Sequence, residues 1–383
     1  NAGFDVKKIA QIKLRFILAS YPDGISKFPV SGKLIVNDIY AVSNLESIVN
    51  FFGNLNRERI TADRVNLAYE FNKFRQRFDD DDFFVGINYP WNNYGWDVGK
   101  NPYGLPENSG WSANEDKLRD DLNYLKSAGI GPVRIYIFFD FRTGLKYVDG
   151  KLVGFDQYVK KDIESLLRIA GEVGIKIIPV LFDFGIADGV GGRFGGEHPE
   201  IIFTSEKYNF LINMMLPLLR DMENWNNKYG NPVYALELMN EPDNMAALMI
   251  PGYYQSLRSW FQDLANIIHN ETTFRITLGS HSIVDMQRWW SEIDIDIHQF
   301  HFYKYMQYEH DAVPQNLKRE SIAIEGIIIA GEIQPYDVIE NINALKKNGY
   351  DGMLFWAFNT SDGFGLRGKK EMDELIRYMN TKN

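Results

Sequence analysis

From Phe83 onward, short apolar runs rich in β-branched and aromatic residues alternate with longer stretches of helical periodicity. This alternation, repeated eight times, constrains the fold more than any other feature of the chain. The runs are Phe83–Asn88, Val133–Phe138, Lys176–Phe182, Val233–Met239, Phe274–Leu278, Ile295–Tyr303, a segment within Ile322–Gly331, and Gly352–Phe358. Such nearly continuous apolar runs read as strands buried on both faces, as in a parallel sheet. Between them, Glu115–Ser127, Phe155–Val173, Ser205–Trp225, Tyr253–Ile268, Asp285–Trp290, Tyr336–Lys347 and Glu371–Met379 read as helices. Gly129 and Gly174 close the first two, as glycine does when a helix ends in a left-handed residue. Eight strand–helix units predict an α/β protein of the (β/α)8 TIM-barrel class. A doubly wound open sheet is the alternative, but no Gly-x-Gly-x-x-Gly follows the first strand.

Residues 1–82 read differently. Ile12 to Leu18 and Val65 to Phe71 alternate with a period of two, so a small β-rich appendage is expected before a barrel spanning 83–383. The run Asp79–Asp82 reads as a solvated linker between the two rather than a calcium site. The chain opens at Asn1-Ala2-Gly3 and holds no cysteine, which fits a processed extracellular or periplasmic protein. The missing thiols also exclude disulfides and thiolate metal centres. A net charge of −10 without a basic run argues against nucleic acid as a partner. No apolar stretch reaches the ~20 residues of a membrane span. The glycine-rich Gly185–Gly196 lacks the lysine and spacing of a phosphate loop, so no nucleotide cofactor is expected. Oligomeric state is left open.

Two strand ends carry the chemistry. Val233 to Met239 is apolar except for Glu237, and Asn240-Glu241-Pro242 stops it. Proline cannot donate to a ladder, so the strand ends there. The seventh run, Ile327 to Ala330, leads into Gly331-Glu332-Ile333. Each places a glutamate at the carboxyl end of an interior strand, where a lone carboxylate is costly to bury. Two carboxyls facing each other across a barrel mouth suit glycoside hydrolysis: one protonates the departing oxygen, the other attacks the sugar or activates water. Glu237 shares the inward face by strand alternation and needs a cationic partner, either Arg134 or Arg275. Trp91, Trp96 and Trp111 lie in the loop after the first strand, as sugar platforms or as loop packing.

With these residues in view, the chain from Phe83 onward resembles the clan A glycoside hydrolases, especially the retaining cellulase and endo-β-mannanase (β/α)8 family. The resemblance rests on Val133-Arg134-Ile135, Asn240-Glu241-Pro242, His301-Phe302-Tyr303, Gly331-Glu332 and Phe355-Trp356, in barrel order. It implies a carbohydrate substrate, mannan- or glucan-type, cleaved by double displacement without a metal or cofactor. Glu241 would be the general acid/base and Glu332 the nucleophile, kept ionised by donors that include Arg134 and Tyr303. Asn240 would bind the sugar 2-hydroxyl, His301 would line the site beside Glu241, and Trp356, Trp91 and Trp96 would offer apolar faces. Against these stand plainer readings: a core histidine at 301 and barrel packing at 356. The chain departs from the family at Asp183, where many relatives have a histidine, and at Ile333-Gln334. Asp183 either replaces that histidine or marks a different subsite.

A non-catalytic carbohydrate-binding barrel is the competing function, and the intact glutamate pair argues against it. A metal-dependent barrel hydrolase is a third, opposed by the lack of His-x-His or His-Glu-x-x-His among six histidines.

Overall fold

The computed structural model describes residues 83–101, 106–187, 198–245, 253–304, 313–324, 326–360 and 362–381. The N-terminal appendage expected at 1–82, its acidic run, and most of the 185–196 and 305–314 loops lie outside the described residues.

The described residues form ten strands: β1 (Phe84–Asn88), β2 (Val133–Tyr136), β3 (Leu145–Val148), β4 (Lys151–Phe155), β5 (Ile177–Asp183), β6 (Leu236–Asn240), β7 (Ile276–Ser280), β8 (Ile297–Phe302), β9 (Ile327–Ile333) and β10 (Gly352–Phe355). Eight of them close a barrel in the order β1-β10-β9-β8-β7-β6-β5-β2, and β2 pairs back onto β1. Every pair in it is parallel. The expected (β/α)8 class is therefore the observed one. The main surrounding helices are α1 (Glu115–Ser127), α2 (Val159–Val173), α3 (Leu216–Lys228), α4 (Tyr253–Glu271), α5 (Val338–Lys347) and α6 (Lys370–Asn380). Helix α1 buries Leu118, Leu122 and Leu125, the stripe its spacing predicts. Helix α2 ends at Gly174 with φ 73°, the left-handed cap expected of glycine there.

One local reading needs correction. Residues 145–155 form an antiparallel hairpin, β3–β4, where the sequence reading started a helix at Phe155. The turn is Asp149-Gly150, with φ 50° and 74°, and two residues of positive φ match the twist of a tight hairpin. The Asp-Gly signature was visible. The flanking alternation was too short to register against the helical period that follows it.

The barrel floor is apolar: Ile178, Ala235, Ile297, Ile329 and Leu354 meet there, with Phe84 and Ile327 packed against them. Fully burying each isoleucine or leucine of this layer stabilises by about 1.5–3 kcal/mol. One layer higher the interior turns polar, with Asn88, Arg134, Glu237 and Gln299 all fully buried. Strand register then sets the mouth. Asp183 is level with Asn240, Asn240 with Gly279, Asn88 with Arg134, and His301 with Glu332.

Candidate active site

Glu241 leaves β6 and Glu332 lies near the end of β9, so both reach the same rim of the barrel. One carboxylate oxygen of each and a ring nitrogen of His301 lie within 4.8 Å of one another.

The two glutamates are held differently. Glu332 accepts from Arg134 Nη1 at 2.7 Å and from the Tyr303 hydroxyl at 2.6 Å. Glu241 accepts from Asn244 Nδ2 at 2.7 Å, and its other oxygen meets His301 Nδ1 at 2.7 Å. The Glu241 side chain keeps 13% exposure against 5% for Glu332. Its backbone sits in the left-handed region, φ 44° and ψ 50°, and its N–H donates to Gly279 O at 2.7 Å. That turn swings the carboxyl off the strand and over the mouth.

Burial pushes both carboxyls above the ordinary glutamate range. At Glu332 the cationic Arg134 and the Tyr303 hydroxyl oppose that rise by direct contact. Glu241 touches only the neutral Asn244 amide and His301. Burial lowers the His301 pKa to about 4, so its ring is neutral near pH 7. The Glu241 charge adds to the rise at Glu332, while His281 and Arg134 oppose the rise at Glu241.

Arg134 organises the floor of the site. Its guanidinium donates to Glu237 from Nε at 2.6 Å and Nη2 at 2.5 Å, and to Asn88 Oδ1 at 2.8 Å. It also donates to Glu332, and to Asn240 Oδ1 at 2.7 Å. All five of its N–H groups are used. Of the two partners open to Glu237, the structure selects Arg134; Arg275 donates instead to Tyr234 O. Gln299 Nε2 adds a third donor to Glu237 at 2.9 Å. Two glycines make room for this lattice. A Cβ at Gly279 would stand 2.5 Å from Glu237 Oε1, and one at Gly331 2.3 Å from Gln299 Cδ.

The aromatic residues divide. Trp356 is half-buried at the end of β10, and its ring lies 6.5 Å from that of Trp91, edge to face. Trp91 also meets Tyr94, Tyr136 and Phe139, which makes one wall of the mouth. Trp96 faces the Arg142 guanidinium, 5.4 Å from its ring centre. Trp111 is fully buried and is loop packing. Arg134 and Tyr303 contact Glu332, His301 contacts Glu241, and Asn240 contacts Arg134 and Asp183.

No protein-family model matches the sequence, and no curated protein is similar to it in sequence. Solved structures are similar in shape. A β-1,4-D-mannanase from Cryptopygus antarcticus matches with a TM-score of 0.61 at 18% identity, over 78% of this chain and 90% of that one. The β-mannanase of the blue mussel Mytilus edulis matches at 0.58 and 16% identity, over 78% and 92%. The exo-β-1,4-mannosidase Op5Man5 from Opitutaceae bacterium strain TAV5 matches at 0.56 and 16%, over 78% of this chain and 59% of that one. The fold shared with these structures is the closed eight-stranded parallel barrel ringed by helices.

Among the described residues, two groups have the residue types of a metal site. In Glu241–His301–Glu332, a divalent cation would compete with the Arg134 and Tyr303 donors on Glu332. The donor set suits proton and group transfer better. In Asp243–His281–Asp285, the carboxylates already accept from Trp290 Nε1, the His281 N–H, Ser282 Oγ and Trp289 Nε1, which pins the loop after β7. Among the described residues no helix is long and apolar enough to cross a membrane.

Three residues escaped the sequence reading. Asn88 and Gln299 brace the Arg134–Glu237 lattice; each was an ordinary polar strand residue with no motif around it. Tyr136, two residues after Arg134 on β2, stands in the mouth itself. Strand alternation from Arg134 would have found it.

Proposed function

We propose that the protein is a retaining β-glycosidase that cleaves a β-linked poly- or oligosaccharide of mannan or glucan type by double displacement. The observation that carries this reading is the close approach of two unlike carboxyls, one beside a guanidinium and a tyrosine hydroxyl, the other beside neutral groups.

Glu332 attacks the anomeric carbon as the leaving oxygen takes a proton from Glu241. This gives a glycosyl-enzyme and a free aglycone or shortened chain. Glu241, now ionised, takes a proton from water, the hydroxide equivalent displaces Glu332, and the β-configured sugar is released. Charge on Glu332 falls as its bond forms, which eases deprotonation of Glu241 for the second step. Asn240 donates to the 2-hydroxyl, a bond that strengthens as positive charge grows on the ring. Trp356 and Trp91 cover the apolar face of the sugar. A polymeric substrate would require the protein to act outside the cytoplasm, extracellularly or in the periplasm.

The test is a hydrolysis screen over β-mannan, β-glucan, xylan and aryl β-glycosides. Proton NMR of the first-formed anomer should show retention. Glu332→Gln and Glu241→Gln should each lower kcat by several orders of magnitude while circular dichroism stays native. Glycan binding without turnover would sink this reading in favour of a carbohydrate-binding barrel.

A further inference from the structure

The hairpin β3–β4 follows the carboxyl end of β2, on the same rim of the barrel as the glutamate pair. Its last residue, Phe155, stacks on Phe138 with ring centres 5.2 Å apart. Phe138 stacks in turn on Phe182 of β5 at 6.0 Å. Phe141 and Phe210 complete the cluster, each meeting Phe155, and Asn209 Nδ2 donates to Leu152 O at 3.2 Å. The packed rings thus fix the hairpin to the strand that ends at Asp183, level with Asn240.

Tyr147 is the aromatic residue that this hairpin carries outward. Its ring stacks on that of His198, with centres 5.9 Å apart and planes inclined by 21°. Its hydroxyl donates to Glu200 Oε1 at 3.0 Å and lies 2.9 Å from His198 Nδ1. The His198 backbone N–H donates to Ile186 O at 2.8 Å, so this support also comes from the end of β5. Desolvation and the Glu200 carboxylate raise the phenol above its ordinary pKa, which keeps the hydroxyl donating. Tyr147 is nonetheless 41% exposed. With His198 behind one face of the ring, the open face is the other. Among the described residues Glu200 Oε2 and His198 Nε2 have no partner, so the ring is bordered by an unused acceptor and an unused ring nitrogen.

We propose that Tyr147 is a platform on which a β-linked glycan chain stacks one of its pyranose rings, away from the bond that is cleaved. A pyranose offers an apolar C–H face to the aromatic ring, and hydroxyls at its edge to Glu200 and His198. The hairpin is continuous with the mouth through Phe182 and Ile186, which places the platform along the path of a chain leaving the glutamate pair. The ring is locked before the glycan arrives, so little side-chain entropy is lost on binding. Its contact lies away from the anomeric carbon and is equal in ground and transition states. It therefore lowers KM for long chains and leaves kcat alone. This inference rests on the glycosidase reading for its ligand, and on the packing of the hairpin for its place.

The test uses the full chain and compares soluble β-mannan or β-glucan, whichever the wild type hydrolyses, with the shortest aryl β-glycoside it turns over. Tyr147→Ala should raise KM on the polymer about two- to tenfold, the worth of one aromatic stack, with kcat unchanged. The short glycoside does not reach the platform, so its kinetics should not respond. Tyr147→Phe keeps the ring and its His198 backing, and should keep most of the affinity for the polymer. An equal loss on polymer and short glycoside would mean that the hairpin only supports the fold, and would overturn the proposal. An unchanged KM on the polymer in Tyr147→Ala would overturn it too. If the wild type hydrolyses no glycan, electrophoresis through gels containing each polymer separates the two readings. Retardation lost in Tyr147→Ala and kept in Tyr147→Phe retains the platform and discards hydrolysis. Retardation indifferent to Tyr147, or none, overturns the platform.

Discussion

Arg134 and Glu237 are joined by two nearly parallel hydrogen bonds, Nε to Oε2 at 2.6 Å and Nη2 to Oε1 at 2.5 Å, with both side chains fully buried. The same guanidinium holds Glu332 and Asn240. Removing one member of a buried ion pair leaves the other uncompensated, at a cost of roughly 3–5 kcal/mol. Glu237→Gln is therefore expected to lower unfolding free energy by about 3 kcal/mol in urea titrations. The ratio of rates on mannan and glucan substrates should stay as in the wild type. A large change in that ratio at unchanged stability would move Glu237 from the wall into the substrate site.

The pH profile should be bell-shaped. Glu332 works ionised, so activity falls as pH drops through its folded pKa. Glu241 works protonated, so activity falls as pH rises through its own. Burial raises both, which shifts the optimum above the ordinary carboxylate range. Asn244 donates to Glu241 and favours its ionised form. Asn244→Ala should then raise the Glu241 pKa and carry the alkaline limb to higher pH, with the acid limb unmoved. Initial rates from pH 4 to about 9 on an aryl glycoside resolve both limbs.

Gly279 has no room for a side chain. A Cβ there would stand 2.5 Å from Glu237 Oε1 and 2.9 Å from Gln299 Nε2, with His301 Nε2 at 3.2 Å. Gly279→Ala must push the polar layer aside, and overpacking of this kind costs about 1–3 kcal/mol. We expect a lower melting temperature and a fall in kcat larger than the stability loss explains. Wild-type kcat in the alanine variant would show that the layer yields without disturbing Arg134.

His269 provides a test remote from the site. It lies 2.8 Å from Asp296 and 3.6 Å from Asp294. Burial lowers its pKa, but the two aspartates outweigh that and raise it from 6.5 to about 9. A raised pKa means stability is fully present below the unfolded value and is lost as pH climbs through the folded one. Between pH 6.5 and about 9 the protein should lose on the order of 1–3 kcal/mol from this group. His269→Gln should flatten that part of the stability curve, as read by denaturation at a series of pH values.

Fold and site were not equally legible. The strand ends at Glu241 and Glu332 stood out because a carboxylate in an apolar run is expensive, and that expense is written in one short segment each. Arg134 could be tied to Glu237 only as one of two candidates, since the choice depends on which strands become neighbours through the closed barrel. Asn88 and Gln299 carried no local sign at all, and Tyr136 only its strand parity with Arg134. Their roles come from register: the Asn88–Arg134 and Asp183–Asn240 levels are products of barrel shear, which no single stretch encodes. The hairpin at 145–155 was missed for the opposite reason. Its Asp-Gly turn was a clear local signal, but a long helical period beside it dominated the window.

Glu241 adopts a left-handed backbone, which glycine, asparagine and aspartate accept more readily than glutamate. Holding a bulky residue there costs of order 1 kcal/mol or more. Glu332 sits within strand β9 and answers the charge of Arg134, so the fold has its own use for it. The two carboxyls are thus unequally protected against drift. In a lineage released from selection for turnover, position 241 should change first, and descendants that keep Glu332 while bearing glycine or asparagine at 241 would be the trace of a lost activity.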